Sequence, residues 1–364
     1  MKNLLISLFT LACVTAIAQP QINTVVGNGF YGQLPYVGIP ATQAECYPIA
    51  VTVNDSLDVF YIDAMTNTIN KVNHTTGVMS VIGGYITNST NVGYAGDGGL
   101  ATTAIFNGPQ AIAADDSGNV YIADKLNFRV RKIFAKNGII QTYAGTGVNG
   151  FSGDGAAATS AKLGTAYGLC LDDSSNLYIT DQQNVRIRKV FKTTGQITTI
   201  AGNGSTGYTG DTGVATSATF NQPCGIAADD SGNIYIADRN NNVIRKVTKA
   251  NGKIGTIAGN HTAGFSGNGG SALSAQLNLP VDVAVDDSAN IFIADQYNNA
   301  IRKVKKTTGN IFSAAGTGVP ANDGDTGLPT KAALLSPYSV SAKNPSGKVW
   351  ICVYGYRIRA FNHY

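Results

Sequence analysis

Side chains able to do chemistry recur in this chain at fixed intervals. Asp63, Asp124, Asp181, Asp238 and Asp295 close short apolar runs such as "YIAD", and in four copies an Asn follows three residues later, at Asn127, Asn184, Asn241 and Asn298. Carboxylates beside amide oxygens suit Ca²⁺. The same pair also bonds the backbone of tight turns, and that reading is preferred because five equivalent positions on separate units lie too far apart to share one ion. A basic pair repeats in step, at Arg131-Lys132, Arg188-Lys189, Arg245-Lys246 and Arg302-Lys303. Arg pairing with the repeated Asp, with Lys reaching solvent, is expected over a polyanion site.

A second recurring set is aromatic and acidic. Asp97, Asp154, Asp211 and Asp325, with Asn268 in the same phase, each follow a glycine; Tyr94, Phe151, Tyr208 and Phe265 stand three residues before the first three and Asn268. A ring face with a carboxylate on a Gly-rich loop is one way to hold a sugar. The alternative is an aromatic tucked between structural units over an Asx turn, and its recurrence in every unit favours that role.

Catalytic chemistry finds little to work with. Only Glu45 of the 22 acidic residues is a glutamate, and only Glu45, Asp58, Asp282 and Asp323 stand outside repeated positions. A general base needs a distinctive environment. His74, His261 and His363 fall at unrelated phases, whereas a zinc site needs about three converging imidazoles. No nucleophile elbow, phosphate loop or nucleotide fingerprint is present. If a metal is held, Ca²⁺ between Glu45 and Asp282 is the one pairing on offer.

The elements that must carry these residues follow from self-similarity. One unit restarts at Pro109, Ala166, Pro223, Pro280 and Pro337, each 57 residues on, and a copy with a longer linker starts at Pro48. Within a unit, "GIAADD" (225–230) and "IYIAD" flank a Gly-containing loop, and "NVIRKV" and "IGTIAG" follow. These read as four antiparallel strands. Strands apolar on both faces need a neighbour on each side, and six four-stranded sheets around an axis make an all-β, six-bladed β-propeller. The last copy ends before its fourth strand, while "INTVVGNG" (22–29) matches "ITTIAGNG" (197–204). Ile22 to Val26 is therefore expected to complete the last blade and close the ring, removing an exposed edge. The 43 glycines and the 43% apolar, 13% charged composition agree with a turn-rich globular β protein.

The unit "P-x-G-I-A-x-D-D-S-G-N-I-Y-I-A-D-x-x-N-x-x-I-R-K-V" resembles the NHL repeat, and "GDTGVATSATFNQP" (210–223) resembles the linker between such repeats in bacterial exported proteins. The resemblance covers 22–364. It implies the propeller fold; family members and related propellers include protein and RNA binders, lactonases and a peptide-hydroxyglycine lyase, so it leaves function open.

Residues that differ where their surroundings repeat are the better candidates for a partner. In propellers the residue after the anchor lies at the mouth of the central channel, here Ile49, Gln110, Tyr167, Cys224, Val281 and Tyr338, with Asp282 one step further. On the same top face the turn between second and third strands offers Lys125, Gln182, Arg239, Gln296, Tyr297 and Tyr354.

Met1-Lys2-Asn3, the apolar run Leu4 to Ala18 and Ala16-Ile17-Ala18 before Gln19 have the form of a secretory leader over 1–18, so export to the periplasm, cell surface or medium is expected. The propeller then occupies 19–364. Cys46, Cys170, Cys224 and Cys352 sit at different phases and read as buried thiols, with one bridge open. The formal charge of +4 is too weak to imply nucleic acid, and no stretch of the mature chain is apolar enough to span a bilayer. The reading is a monomeric, exported propeller that binds protein or carbohydrate through its top face and channel mouth. The alternatives are a Ca²⁺-dependent lactonase- or lyase-like enzyme at that mouth, or a structural module of a cell-envelope or adhesive assembly.

Overall fold

The computed structural model describes residues 19–30, 37–85 and 92–363; the leader expected over 1–18 lies outside them. Strand β1 (Ile22–Val26) opens the chain. The first blade is β2 (Pro48–Val53), β3 (Val59–Asp63), β4 (Thr68–Val72) and β5 (Met79–Gly83), and the second is β6 (Pro109–Ala114), β7 (Val120–Asp124), β8 (Arg129–Ile133) and β9 (Ile140–Ala144). The third blade comprises β10 (Ala166–Leu171), β11 (Leu177–Asp181), β12 (Arg186–Val190) and β13 (Ile197–Ala201). The fourth has β14 (Pro223–Ala228), β15 (Ile234–Asp238), β16 (Val243–Thr248) and β17 (Lys253–Ala258). The fifth has β18 (Pro280–Val285), β19 (Ile291–Asp295), β20 (Ala300–Val304) and β21 (Ile311–Ala315). In the sixth, β22 (Pro337–Ser341), β23 (Lys348–Val353) and β24 (Arg357–Asn362) are joined by β1.

The protein is thus a six-bladed β-propeller of antiparallel four-stranded sheets, and its ring is closed by β1. Ile22 lies opposite Phe361 and Thr24 opposite Arg359. The other edge of β1 is also covered, because Ile22 exchanges backbone hydrogen bonds with Thr326 and Gly327 of the last linker. Each linker does the same for its own blade, as when Gly98 and Gly99 bond Ile140 of β9. Outer edges that would template aggregation are thereby paired.

The second strand of the first five blades is buried at every position, which is why "IYIAD" and its siblings are apolar on both faces. The hydrophobic clusters lie between blades; one joins Phe60 and Ile62 of the first to Ile112 and Ile122 of the second, with linker residue Phe106 at its centre. No blade is a closed core alone, so stability belongs to the stack.

Candidate functional site

The recurring Arg of the third strand organises the outer half of five blades. Arg131, Arg188, Arg245, Arg302 and Arg359 are fully buried. In the second blade, Arg131 donates to Asp97 at 2.6 Å and to the carbonyls of Ala95 and Ile105, and lies 3.8 Å from Asp124. The Tyr94 ring covers the guanidinium, and its hydroxyl donates to Asp97. Thr142 of β9 donates to the same carboxylate through both its amide and its hydroxyl. The motif repeats with Tyr208, Asp211 and Arg245, with Phe151, Asp154 and Arg188, and with Phe265, Asn268 and Arg302; Arg359 pairs with Asp325 at 2.7 Å. The linker aromatic and acid therefore face an internal cation. The first blade departs, with buried Asn70 at the Arg position.

Two details differ from the sequence reading. The Asp and Asn of the second turn hold the linker as well as the turn: Asp124 accepts the amide of Asn107, and Asn127 donates to Asp124 and to the Gly93 carbonyl. The Lys beside each Arg turns inward along the opposite face, as Lys132 does toward the Tyr121 hydroxyl at 2.7 Å, because its ammonium neutralises the hairpin Asp115 at 3.8 Å.

Burial is strong enough to divide these acids. The Asp124, Asp238 and Asp295 carboxyls are pushed up to about 6 by burial, against hydrogen bonds and the neighbouring Arg. Burial also acts to raise Asp97 and Asp211, but bonds from Thr, Tyr and Arg side chains together hold both below the ordinary range.

The channel mouth is built differently. In every blade the register between first and second strands slips just after the anchor, as between Pro109 and Ala111 or Ala166 and Gly168. A bulge re-aims its extra residue, and here those residues are Ile49, Gln110, Tyr167, Cys224, Val281 and Tyr338. Five of them line a channel of about 350 Å³; Cys224 is buried at its edge, where Gln182 donates to its thiol.

Two cations stand over this mouth. Lys125 donates to Gln110 at 3.3 Å and lies 5.2 Å above the Tyr167 ring. Arg239 reaches Gln222 and Gln296, at 3.3 and 3.4 Å. Their turns are single-turn helices ended by a left-handed residue, Phe128 or Asn242, which directs the first side chain across the top face. Tyr354 packs against Tyr47 and Tyr338 on the same rim, and Tyr297 is 60% exposed.

Deeper in the channel stands Asp282. Its oxygens accept the amides of Val283 and Val340, the second on the sixth blade. It fits because Gly225 has no side chain; a Cβ there would lie 2.0 Å from Oδ1. Burial pushes this carboxyl up to about 6. At the far end, Asp55, Asp116, Asp173 and Lys343 line the channel, and Lys343 bridges Asp173 and Asp230 at 2.5 and 2.8 Å.

Sequence comparison missed Gln222 and Lys343, although Lys343 stands where four other blades have Asp. Elsewhere, His74 lies beside Asp58 in the first blade, His261 meets Tyr208 edge-on in a linker and His363 packs on Phe292. Among the described residues no three His, Cys, Asp or Glu side chains form a group that could hold a metal ion. All four described cysteines are free thiols.

The family model for the NHL repeat matches residues 106–133 and 220–246, each running from the last linker residues into the third strand. This chain is an NHL-repeat β-propeller. The NHL propeller is 25% identical over 252 residues to NHL repeat-containing protein 2 of Bos taurus, covering 62% of this chain and 34% of that protein. It spans no more than about a third of the curated relatives whose sequences it matches first. Among solved structures, an auxiliary nutrient binding protein from Bacteroides thetaiotaomicron superposes with a TM-score of 0.65 at 13% identity, over 94% of this chain and 76% of that one. A streptogramin B lyase superposes with a TM-score of 0.52 at 14% identity, over 94% and 98%. At these identities the likeness is one of fold.

Proposed function

We propose that this propeller is an exported binding module that takes a carbohydrate at its top face and channel mouth, without a metal cofactor. One observation carries the reading: the side chains that differ from blade to blade, Gln110, Tyr167 and Tyr338, converge on one mouth beneath Lys125 and Arg239, whereas the repeated polar groups bond one another. Aromatic faces beside amides and a few charges suit a sugar, whose ring has an apolar face and whose hydroxyls need both donors and acceptors. The fold neighbour named as a nutrient-binding protein agrees with a binding role. A protein partner would use the same rim, through exposed Tyr297 and Tyr354.

The test is a glycan array and pull-down on the purified protein. Tyr167→Ala combined with Tyr338→Ala abolishes capture, whereas Phe265→Ala, in a linker aromatic set over Arg302, retains it. Capture lost with Phe265→Ala and kept in the double variant would move the site to the linkers. A second reading, an enzyme at the mouth, is favoured by Asp282 alone, a non-repeated carboxyl in the channel raised to about 6. One Ca²⁺ per purified chain, lost in Asp282→Asn, would support it.

A further inference from the structure

Among the described residues, Lys125 and Arg239 at the top face have no ion-pair partner. Lys125 and Arg239 meet only neutral partners through hydrogen bonds, the amide oxygens of Gln110, Gln222 and Gln296. Every buried Arg of the blades, by contrast, has a carboxylate or the Asn268 amide within 3.1 Å. The pair sit on alternate blades, the second and the fourth, and flank Tyr167 of the third. Lys125 covers that ring directly, and Arg239 is close enough to act on its hydroxyl. Both are only partly exposed, so their charges are screened less than those of free surface side chains. Asp282, a carboxyl deeper in the channel, already accepts two backbone amides.

We infer that the mouth selects an acidic saccharide, one whose sugar ring lies against Tyr167 and Tyr338 while its carboxylate is held between Lys125 and Arg239. The inference rests on the carbohydrate reading above and narrows it. An ammonium offers a point charge and a guanidinium a planar fork that matches a carboxylate. The Gln amides, now turned toward the cations, would be released to bond sugar hydroxyls. A channel of about 350 Å³ is at the small end of ligand sites and admits one or two sugar residues.

Calorimetric titration of the full chain with digalacturonate and with lactose, a neutral disaccharide, tests this. Digalacturonate should bind at least tenfold more tightly than lactose at low salt, and the ratio should shrink as NaCl rises to 0.5 M, where screening is about threefold shorter in range than at 0.05 M. Lys125→Met and Arg239→Met, which keep most of the aliphatic stem, should each weaken digalacturonate about tenfold and change lactose by less than twofold. Equal affinity for the two disaccharides, or a digalacturonate affinity unmoved in both Met variants, overturns acid selection and leaves the carbohydrate reading standing. Binding of neither disaccharide, with Tyr167→Ala indistinguishable from wild type, overturns both.

Discussion

The outer blades and the channel mouth use the same residue types to opposite ends. In the blades, Arg245 is surrounded by Asp211, Asp238, two carbonyls and two aromatic rings, and the core of the arrangement, a buried Arg against a linker Asp or Asn, recurs in four other blades. At the mouth, Arg239, six residues earlier in the chain, reaches across to amides of two other elements, and of the other blades only the second has a cation, Lys125, at the matching position. A group bonded on all sides is a fastener. A group whose only partners are exchangeable neutral amides remains able to meet a ligand, and the comparison locates function where the repeat breaks.

Cutting the ring is the most severe way to test the fastened half. Deleting Ile22 to Gly27 strips β24 of its partner and uncovers Phe361, and it should abolish cooperative melting of the monomer; an unchanged Tm and a monomeric elution volume would contradict closure by β1. Next is Arg245→Met, which leaves Asp238 buried without its cation. It should cost about 3–5 kcal/mol in urea unfolding, yet spare saccharide affinity in the molecules that remain folded. The corresponding Asn70→Arg in the first blade should gain nothing, because that linker has no acid at the matching place.

A third test uses pH. Asp124, Asp238 and Asp295 have folded values near 6, above the ordinary 3.8, so the folded state binds their protons more tightly than the unfolded chain. Their stabilising effect is complete below about pH 4 and is lost as pH rises to about 6, by up to roughly 3 kcal/mol per carboxyl. Asp97 and Asp211 work in the opposite sense, adding stability above the ordinary value and losing it as pH falls. Asp238→Asn should flatten the fall in Tm between pH 4 and 6 by one carboxyl's share; an identical slope would show that Asp238 is ionised throughout.

The smallest effects belong to the mouth and its far end. Tyr167→Ala should shift the unfolding free energy by no more than about 2 kcal/mol, since the ring is only partly buried, while removing saccharide binding; equal losses in both would make Tyr167 a core residue. Lys343→Met breaks exposed ion pairs worth at most about 1 kcal/mol. It should leave Tm nearly unchanged and make melting more sensitive to added salt, because Asp173 and Asp230 then repel.

Much of this was legible in one sequence because the chain carries its own comparison. Six copies in phase identify anchors, strands and the closing segment Ile22 to Val26 without any relative. The candidates Gln110, Tyr167, Tyr338, Lys125 and Arg239 were found as the residues that differ, and the structure brings them to one mouth. The linker set could not be read so well. Asp97 and Tyr94 are more than 30 residues from Arg131, and a sugar site and an internal clasp present the same letters. Arg359 was obscured by a degenerate last repeat, and Lys343 by an extra residue in its hairpin.

What the amino-acid sequence alone determined is periodic and local: strand alternation, turn chemistry, blade number and the order in which the ring closes all follow from patterns a few residues to one unit long. What only the tertiary structure decided is commitment, meaning which charges are already neutralised. Whether Arg245 meets an acid and Arg239 does not depends on how linkers fold back over their own blades and on the bulge that turns each mouth residue inward. Those distances are fixed by packing around a closed ring, and electrostatic partnership follows distance in space rather than along the chain.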